Sequence, residues 1–98
     1  MAAAKTTYWF SNDSCVLRGP ERWEVFVAGT LVGEFTPGDR VGRDPILVGL
    51  LQDPNRHEGR LARAFGTSVA ALRRLRRLYE AEGMVGVART GRRGARRR

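Results

Sequence analysis

The sequence predicts an α+β domain in which a small N-terminal antiparallel sheet packs on a unit of three helices. Alternation of apolar and polar residues, which is typical of strands, dominates residues 1–43, whereas helical periodicity dominates residues 44–88. An arginine-rich segment, residues 89–98, follows; it cannot bury a core, so we expect it to be disordered. A chain of 98 residues has the length of one compact domain with a modest core.

The N-terminal region contains four short runs with strand character. Residues 7–17 predict two strands joined by the polar turn 11–14, and residues 23–35 predict a hairpin. We expect a three-residue hairpin loop, residues 28–30. That loop would place five apolar side chains on one face, covered by the helices: Trp23, Val25, Val27, Leu31 and Phe35.

The first two helices are predicted from capping signals. Asp44 is an N-cap candidate with Pro45 at the first helical position, and the apolar run that follows predicts a buried helix ending before Pro54. A second helix over residues 55–65 begins with Asn55 as its cap and Glu58 as the reciprocal partner. This helix turns three apolar residues inward and three arginines outward: Leu61, Ala62 and Phe65, against Arg56, Arg60 and Arg63.

The third helix, residues 68–82, follows a predicted sharp corner. Ala62 is small enough for a crossing helix, Gly66 tolerates positive φ, and Leu72 can face back into the angle. Ser68 is suited to cap the new helix, and Gly83 to end it. This spacing resembles that of the bacterial helix-turn-helix family, which implies that residues 44–88 form such a unit.

One side of the third helix is strongly cationic. Arg73, Arg74 and Arg77 lie opposite the apolar face, with Ala70 between them, and no acid occurs between Ser68 and Tyr79. An ordinary solvated face mixes charges of both signs, so this face predicts a polyanionic partner. The hypothesis requires a bend at Gly66 and arginines that are not paired with carboxylates of the same chain.

The charge is distributed unevenly along the chain. Residues 1–55 hold five basic and seven acidic residues, whereas residues 56–98 hold thirteen arginines and three glutamates. The net charges are therefore −2 and +10. This asymmetry favours a nucleic-acid surface on the C-terminal half.

The run LRRLRRLYEAEGMVGVARTGRRG, residues 72–94, resembles the N-terminal DNA-binding segment of bacterial insertion-sequence transposases. The resemblance implies binding to DNA ends. The residues that would face the groove are Ser68, Ala70, Arg73, Arg74 and Arg77. The N-terminal β region lies outside that pattern. Across the chain, twelve residues are predicted to contact DNA: Arg56, Arg60, Arg63, Thr67, Ser68, Ala70, Arg73, Arg74, Arg77, Arg89, Arg92 and Arg93.

The favoured function is sequence-specific binding of double-stranded DNA, as a transcriptional regulator or a transposase-type domain, with a possible homodimer. Alternatives are an RNA-binding or ribosome-associated protein, an adaptor that uses the hairpin edge, and a sheet whose aromatic residues stack on bases. We expect that the protein is not an enzyme and that it has no cofactor, metal site or small-molecule substrate. The single Cys15 predicts a buried thiol. The absence of a long apolar run predicts a protein without a membrane segment. With DNA as the expected partner, we expect the protein to be cytoplasmic and nucleoid-associated.

Overall fold

The N-terminal half of the chain folds into a meander of four antiparallel strands. The computed structural model describes residues 5–96, with side chains as far as Arg89. The strands lie in the sheet in chain order, so each one is hydrogen-bonded to its sequence neighbour. They are β1 (Thr6–Trp9), β2 (Ser14–Arg18), β3 (Trp23–Val27) and β4 (Thr30–Phe35).

The second half forms α1 (Arg40–Leu51), α2 (Glu58–Phe65) and α3 (Val69–Arg96). α1 packs against β4, and α2 packs against β1 and β2. α3 packs on α1 and α2, which separate it from the sheet. The α+β architecture expected from the sequence is therefore confirmed, with the two shorter helices forming the layer between sheet and α3.

An aromatic cluster joins the inner face of the sheet to α2. The Phe35 and Phe65 rings are stacked with centroids 5.9 Å apart, and Phe10 and Trp23 extend the cluster from either side. Val16 and Val25 are fully buried beneath it. Burial of this apolar surface is the dominant force that attaches the helices to the sheet.

The β3–β4 hairpin differs from the expected one. Its loop is a two-residue turn at Ala28 and Gly29, which have φ angles of 51° and 81°, and Thr30 already pairs with Val27. The ladder also shifts between Val25 and Phe26. The shorter loop pairs Leu31 with Phe26 on the outer face, so Leu31 is 47% exposed rather than packed in the core. The shift beyond Leu31 returns Phe35 to the inner face, opposite Trp23.

Two helix starts also differ from the predictions. α1 begins five residues earlier than expected, because the Asp39 carboxylate accepts a hydrogen bond from the Gly42 N–H and caps the helix there. Asp44 is instead buried inside α1, where its carboxylate pairs with Arg43 at 2.9 Å. α2 is capped by His57, whose Nδ1 accepts from the Arg60 N–H, and not by Asn55.

α3 changes direction at Gly83, which has a φ of 71° and is not helical. Residues 69–82 match the predicted third helix, but the backbone is helical again through residues 84–96, where a docked stretch and a disordered tail were expected. Val87 is buried after the kink, whereas Val85 is 72% exposed. Among residues 5–96, no helix is both long and apolar enough to cross a bilayer.

Candidate functional site

The junction between α2 and α3 is a tight corner closed by backbone hydrogen bonds. Gly66 has the left-handed conformation, with φ 69° and ψ 36°. Its N–H donates to the Arg63 carbonyl at 3.2 Å, and the Thr67 N–H reaches back to the Ala62 carbonyl at 2.9 Å. This pair of bonds satisfies the last carbonyls of α2 and ends the helix at a glycine. The bend required by the sequence hypothesis is therefore present.

The start of α3 is defined as closely as the end of α2. The Ser68 hydroxyl oxygen accepts a hydrogen bond from the Ala71 N–H at 3.1 Å. Ser68 is therefore the N-cap of α3, as predicted. Inside the angle, Ala62 and Leu72 are both buried, and Val69 packs against the same core. The two helices are thus fixed by apolar packing on one side and by capping at the corner.

Arg18 links the sheet to this corner, a contact that the sequence did not predict. Its guanidinium lies 3.7 Å from the centroid of the Tyr8 ring and 4.3 Å from that of the Trp23 ring. The same group donates to the carbonyls of Arg63 at 2.7 Å and Ala64 at 3.0 Å. These carbonyls lie in the last turn of α2, where a cation is favourable. The sheet therefore holds the end of α2 beside the turn.

Four of the arginines that were predicted to contact DNA are exposed on α2 and α3. Arg60 and Arg63 on α2 are exposed, and so are Arg74 and Arg77 on α3. Among the residues that the structure describes, these four form no ion pair with a carboxylate. Ala70 is exposed on the same surface of α3. The helical spacing of Ala70, Arg74 and Arg77 places these three residues on one face of α3.

Arg73 does not meet the condition set by the sequence hypothesis, because a carboxylate of the same chain pairs with it. Glu58 Oε1 accepts from Arg73 Nη2 at 3.2 Å and from Arg73 Nε at 3.3 Å. The other oxygen, Oε2, lies 3.3 Å from Arg76 Nη1. Glu58 was predicted to take part in capping α2, whereas here it binds two arginines of the next helix. Among the described side chains of α3, the arginines without a carboxylate partner are therefore Arg74 and Arg77.

Arg56 also lies in an unexpected place. Its side chain is only 16% exposed; its guanidinium is 5.4 Å from the centroid of the Phe10 ring and its Nε is 3.8 Å from an Asp53 carboxylate oxygen. The residue precedes α2, so the outward, phosphate-facing position predicted for it is wrong. The physical reason is that α2 starts at Glu58 and not at residue 55, which leaves Arg56 in the connecting loop.

Of the three tail arginines predicted to contact DNA, Arg89 is the one whose side chain the structure describes. Arg89 pairs with Glu82 at 2.6 Å across the kink at Gly83. The side chains of Arg92 and Arg93 lie outside the part of the chain that the structure describes. Thr67 is half-buried at the corner, where it faces a cleft between α1 and α3.

That cleft has a volume of about 200 Å³ and brings in two arginines that the sequence hypothesis omitted. Arg40 and Arg43, from the first turn of α1, line it together with Arg74 of α3. Arg43 is neutralised by the buried Asp44, so Arg40 and Arg74 supply the free charge. Their spacing along the chain gives no signal of this proximity, which depends on how α1 crosses α3.

Among the residues that the structure describes, no three histidine, cysteine, aspartate or glutamate side chains are grouped so as to hold a metal ion. Cys15 is buried as predicted, and burial raises the pKa of its thiol, which disfavours the nucleophilic thiolate.

The outer face of the sheet bears an apolar row whose two ends are exposed. Four residues in register, one from each strand, form it: Trp9, Cys15, Phe26 and Leu31. Trp9 at one end is 55% exposed and Leu31 at the other is 47% exposed. The neighbouring row in register is Thr7, Leu17, Glu24 and Glu34, which places two acids beside the apolar row. This surface is distinct in composition from the arginine surface of α2 and α3.

Comparison of the chain with protein-family models, with curated protein sequences and with solved structures gives no significant match.

Proposed function

We propose that this protein binds double-stranded DNA through α2, the corner 66–68 and α3, acting together as a helix-turn-helix. In this proposal, residues 69–82 enter the major groove. The observation that carries the proposal is the left-handed corner at Gly66 followed by a capped helix that exposes Arg74 and Arg77 without carboxylate partners among the described residues. Such a corner places the second helix where it can enter a groove about 12 Å wide.

The exposed residues of α3 suit different contacts. Ala70 lies in the first turn and is small, so the helix backbone can approach the base edges closely. Arg74 and Arg77 follow at one-turn intervals, and a guanidinium can donate two hydrogen bonds to a guanine edge or to a phosphate. We assign base and phosphate contacts to these two arginines. Arg73 is excluded from the first contacts because Glu58 holds it.

α2 supplies contacts that position the protein. Arg60 and Arg63 are exposed one turn apart on this helix, and an arginine pair at such spacing can reach successive phosphate oxygens. Phosphate contacts carry no sequence information, so these residues contribute affinity and orientation. Arg40, at the start of α1 and close to Arg74, extends the same cationic surface.

The proposal is tested by fluorescence anisotropy with labelled duplexes over a salt series. The double variant Arg74→Gln/Arg77→Gln should bind more weakly, and its log–log salt slope should fall by about 1.8, because each lost phosphate contact removes about 0.9. The control variant is Arg22→Gln. Arg43 is left intact in it, because Arg43 pairs with the buried carboxylate of Asp44. Arg22→Gln alone removes an exposed charge from the sheet side and should leave the slope unchanged.

Equal slopes for the wild-type protein and the Arg74→Gln/Arg77→Gln variant would contradict the proposal. A competition arm with structured RNA separates the nucleic-acid classes, since the same surface could follow an RNA backbone. Displacement of labelled duplex by equimolar RNA, but not by unlabelled duplex, would replace DNA with RNA as the ligand.

A second candidate function, association of two copies of the chain, is favoured by the exposed apolar row on the outer face of the sheet. Helix-turn-helix proteins commonly bind two half-sites as dimers, so such a surface would complement the first proposal. Trp9→Ser/Leu31→Ser should then convert a dimer to a monomer in size-exclusion chromatography with light scattering. A monomer for the wild-type protein at all accessible concentrations would exclude this role.

A further inference from the structure

Glu58 binds two cationic side chains of α3 with one carboxylate. It is the first residue of α2 and its side chain is 24% exposed. Oε1 accepts from the Nη2 and Nε groups of Arg73, and Oε2 lies 3.3 Å from Nη1 of Arg76. The start of a helix is a favourable place for a carboxylate, because the helix dipole is positive there.

The pairing divides the arginines of α3 into two groups. Arg73 and Arg76 are turned toward α2 and are neutralised in part by Glu58, whereas no described carboxylate lies within ion-pair distance of Arg74 or Arg77. The Arg73 side chain is 61% exposed, and ion pairs so open to solvent contribute little to folding stability. The pairing therefore matters less for folding stability than for the positive charge that α3 can present to a ligand.

We infer that Glu58 is a specificity-determining residue, which withholds Arg73 and Arg76 from the phosphates of non-target DNA. The inference rests on the proposed DNA-binding function of α3. Phosphate contacts raise affinity for every sequence alike, whereas base contacts distinguish sequences. By occupying two guanidinium groups, Glu58 lowers the sequence-independent part of the affinity and leaves the contacts of Arg74 and Arg77 to decide where the protein binds.

The first test replaces the carboxylate with a neutral group of the same size. Glu58→Gln should steepen the salt slope on random-sequence duplex by about 0.9 to 1.8, as one or both freed arginines reach phosphates. Affinity for that duplex should rise by about two- to thirtyfold, the range expected when two exposed ion pairs are released. Thermal unfolding followed by circular dichroism verifies that each variant is folded.

Glu80→Gln is the matched control. Glu80 is exposed on α3 and forms no ion pair among the described side chains. It lines a pocket together with Glu58, Arg73 and Arg76. Its substitution changes the net charge equally without freeing an arginine, so it should leave the slope within about 0.3 of the wild-type value. Equal effects of Glu58→Gln and Glu80→Gln would overturn the inference.

A second set of variants approaches the same point from the arginines. With Glu58 present, Arg73→Gln/Arg76→Gln should lower affinity for random duplex less than Arg74→Gln/Arg77→Gln does. In the Glu58→Gln background, Arg73→Gln/Arg76→Gln should abolish the gained affinity and the added slope. Equal losses for the two double variants in the wild-type background would refute the role of Glu58, while a wild-type protein that binds no duplex would refute the proposed function instead.

Discussion

Removing the guanidinium of Arg18 should destabilise the whole fold, because this group connects the sheet to the end of α2. In Arg18→Met, an apolar side chain still fills the space between the Tyr8 and Trp23 rings, but the cation is lost. The carbonyls of Arg63 and Ala64 also lose their side-chain donor. The substitution therefore isolates the polar role of Arg18 from its packing.

The magnitude follows from these contacts. Two hydrogen bonds to carbonyls contribute about 1 kcal/mol each, and two partly exposed cation–π contacts contribute about 0.5–1 kcal/mol each. Because one guanidinium makes all of them, the sum is not additive, and we expect a loss of about 2–4 kcal/mol in the free energy of unfolding. For a domain of this size, the midpoint of thermal unfolding should fall by about 10–25 °C.

Urea unfolding followed by far-ultraviolet circular dichroism measures this loss without relying on the fluorescence of Trp23, which contacts Arg18. The midpoint should move and the denaturant slope should stay constant. Arg18→Lys keeps the charge over the rings but cannot fork onto two carbonyls, so it should lose about 1–2 kcal/mol.

Arg22→Met is the control, because Arg22 is an exposed neighbour whose Nη1 is 3.4 Å from a Glu34 carboxylate oxygen. Its loss should stay within about 0.5 kcal/mol. If Arg18→Met were as stable as Arg22→Met, the attachment of the sheet to α2 through Arg18 would be refuted.

Three further predictions concern single positions. Gly66→Ala should destabilise the fold by about 1–2 kcal/mol in urea, because φ is 69° and the new Cβ would lie 3.4 Å from Trp23; an equal stability would contradict the left-handed corner. Ala28→Asn should stabilise it by about 0.5 kcal/mol in the same assay, since asparagine accepts the positive φ of a two-residue hairpin turn better than alanine. Because burial raises its pKa, the Cys15 thiol should react with iodoacetamide more slowly in the native protein than in urea, and equal rates would show that it is accessible.

Helical periodicity and corner chemistry were sufficient to predict the junction of α2 and α3. Gly66 has the left-handed conformation and Ser68 caps α3, as predicted, and the small Ala62 is buried. Leu72 is buried inside the angle as its place in the pattern predicts. Local signals succeed here because the same few residues determine both the backbone and the packing.

Competing local signals explain the errors at the helix starts. The sequence prediction used Asp44 as the cap because proline follows it, and did not include Asp39. The structure uses Asp39, which leaves Pro45 within α1 and buries Asp44 beside Arg43. Similarly, alanine is an unusual residue for a turn with positive φ, so Ala28 gave no sign of a two-residue hairpin loop.

No signal of the contacts between charged side chains on different helices is present in the sequence. Glu58 and Arg73 are fifteen residues apart, and only the crossing of α2 and α3 brings them within 3.2 Å. The proximity of Arg40 to Arg74 depends in the same way on how α1 meets α3. The arginine pattern therefore indicated a cationic helix correctly, while the tertiary fold decides which arginines are available.

The most direct test of the proposed interface is a heteronuclear NMR titration of the isotope-labelled protein with a short DNA duplex. The proposal predicts that the largest amide shift changes cluster at residues 66–77 of the corner and α3, with smaller changes at Arg60 and Arg63. Changes concentrated on the outer face of the sheet, around Trp9 and Leu31, or none at saturating duplex, would contradict it.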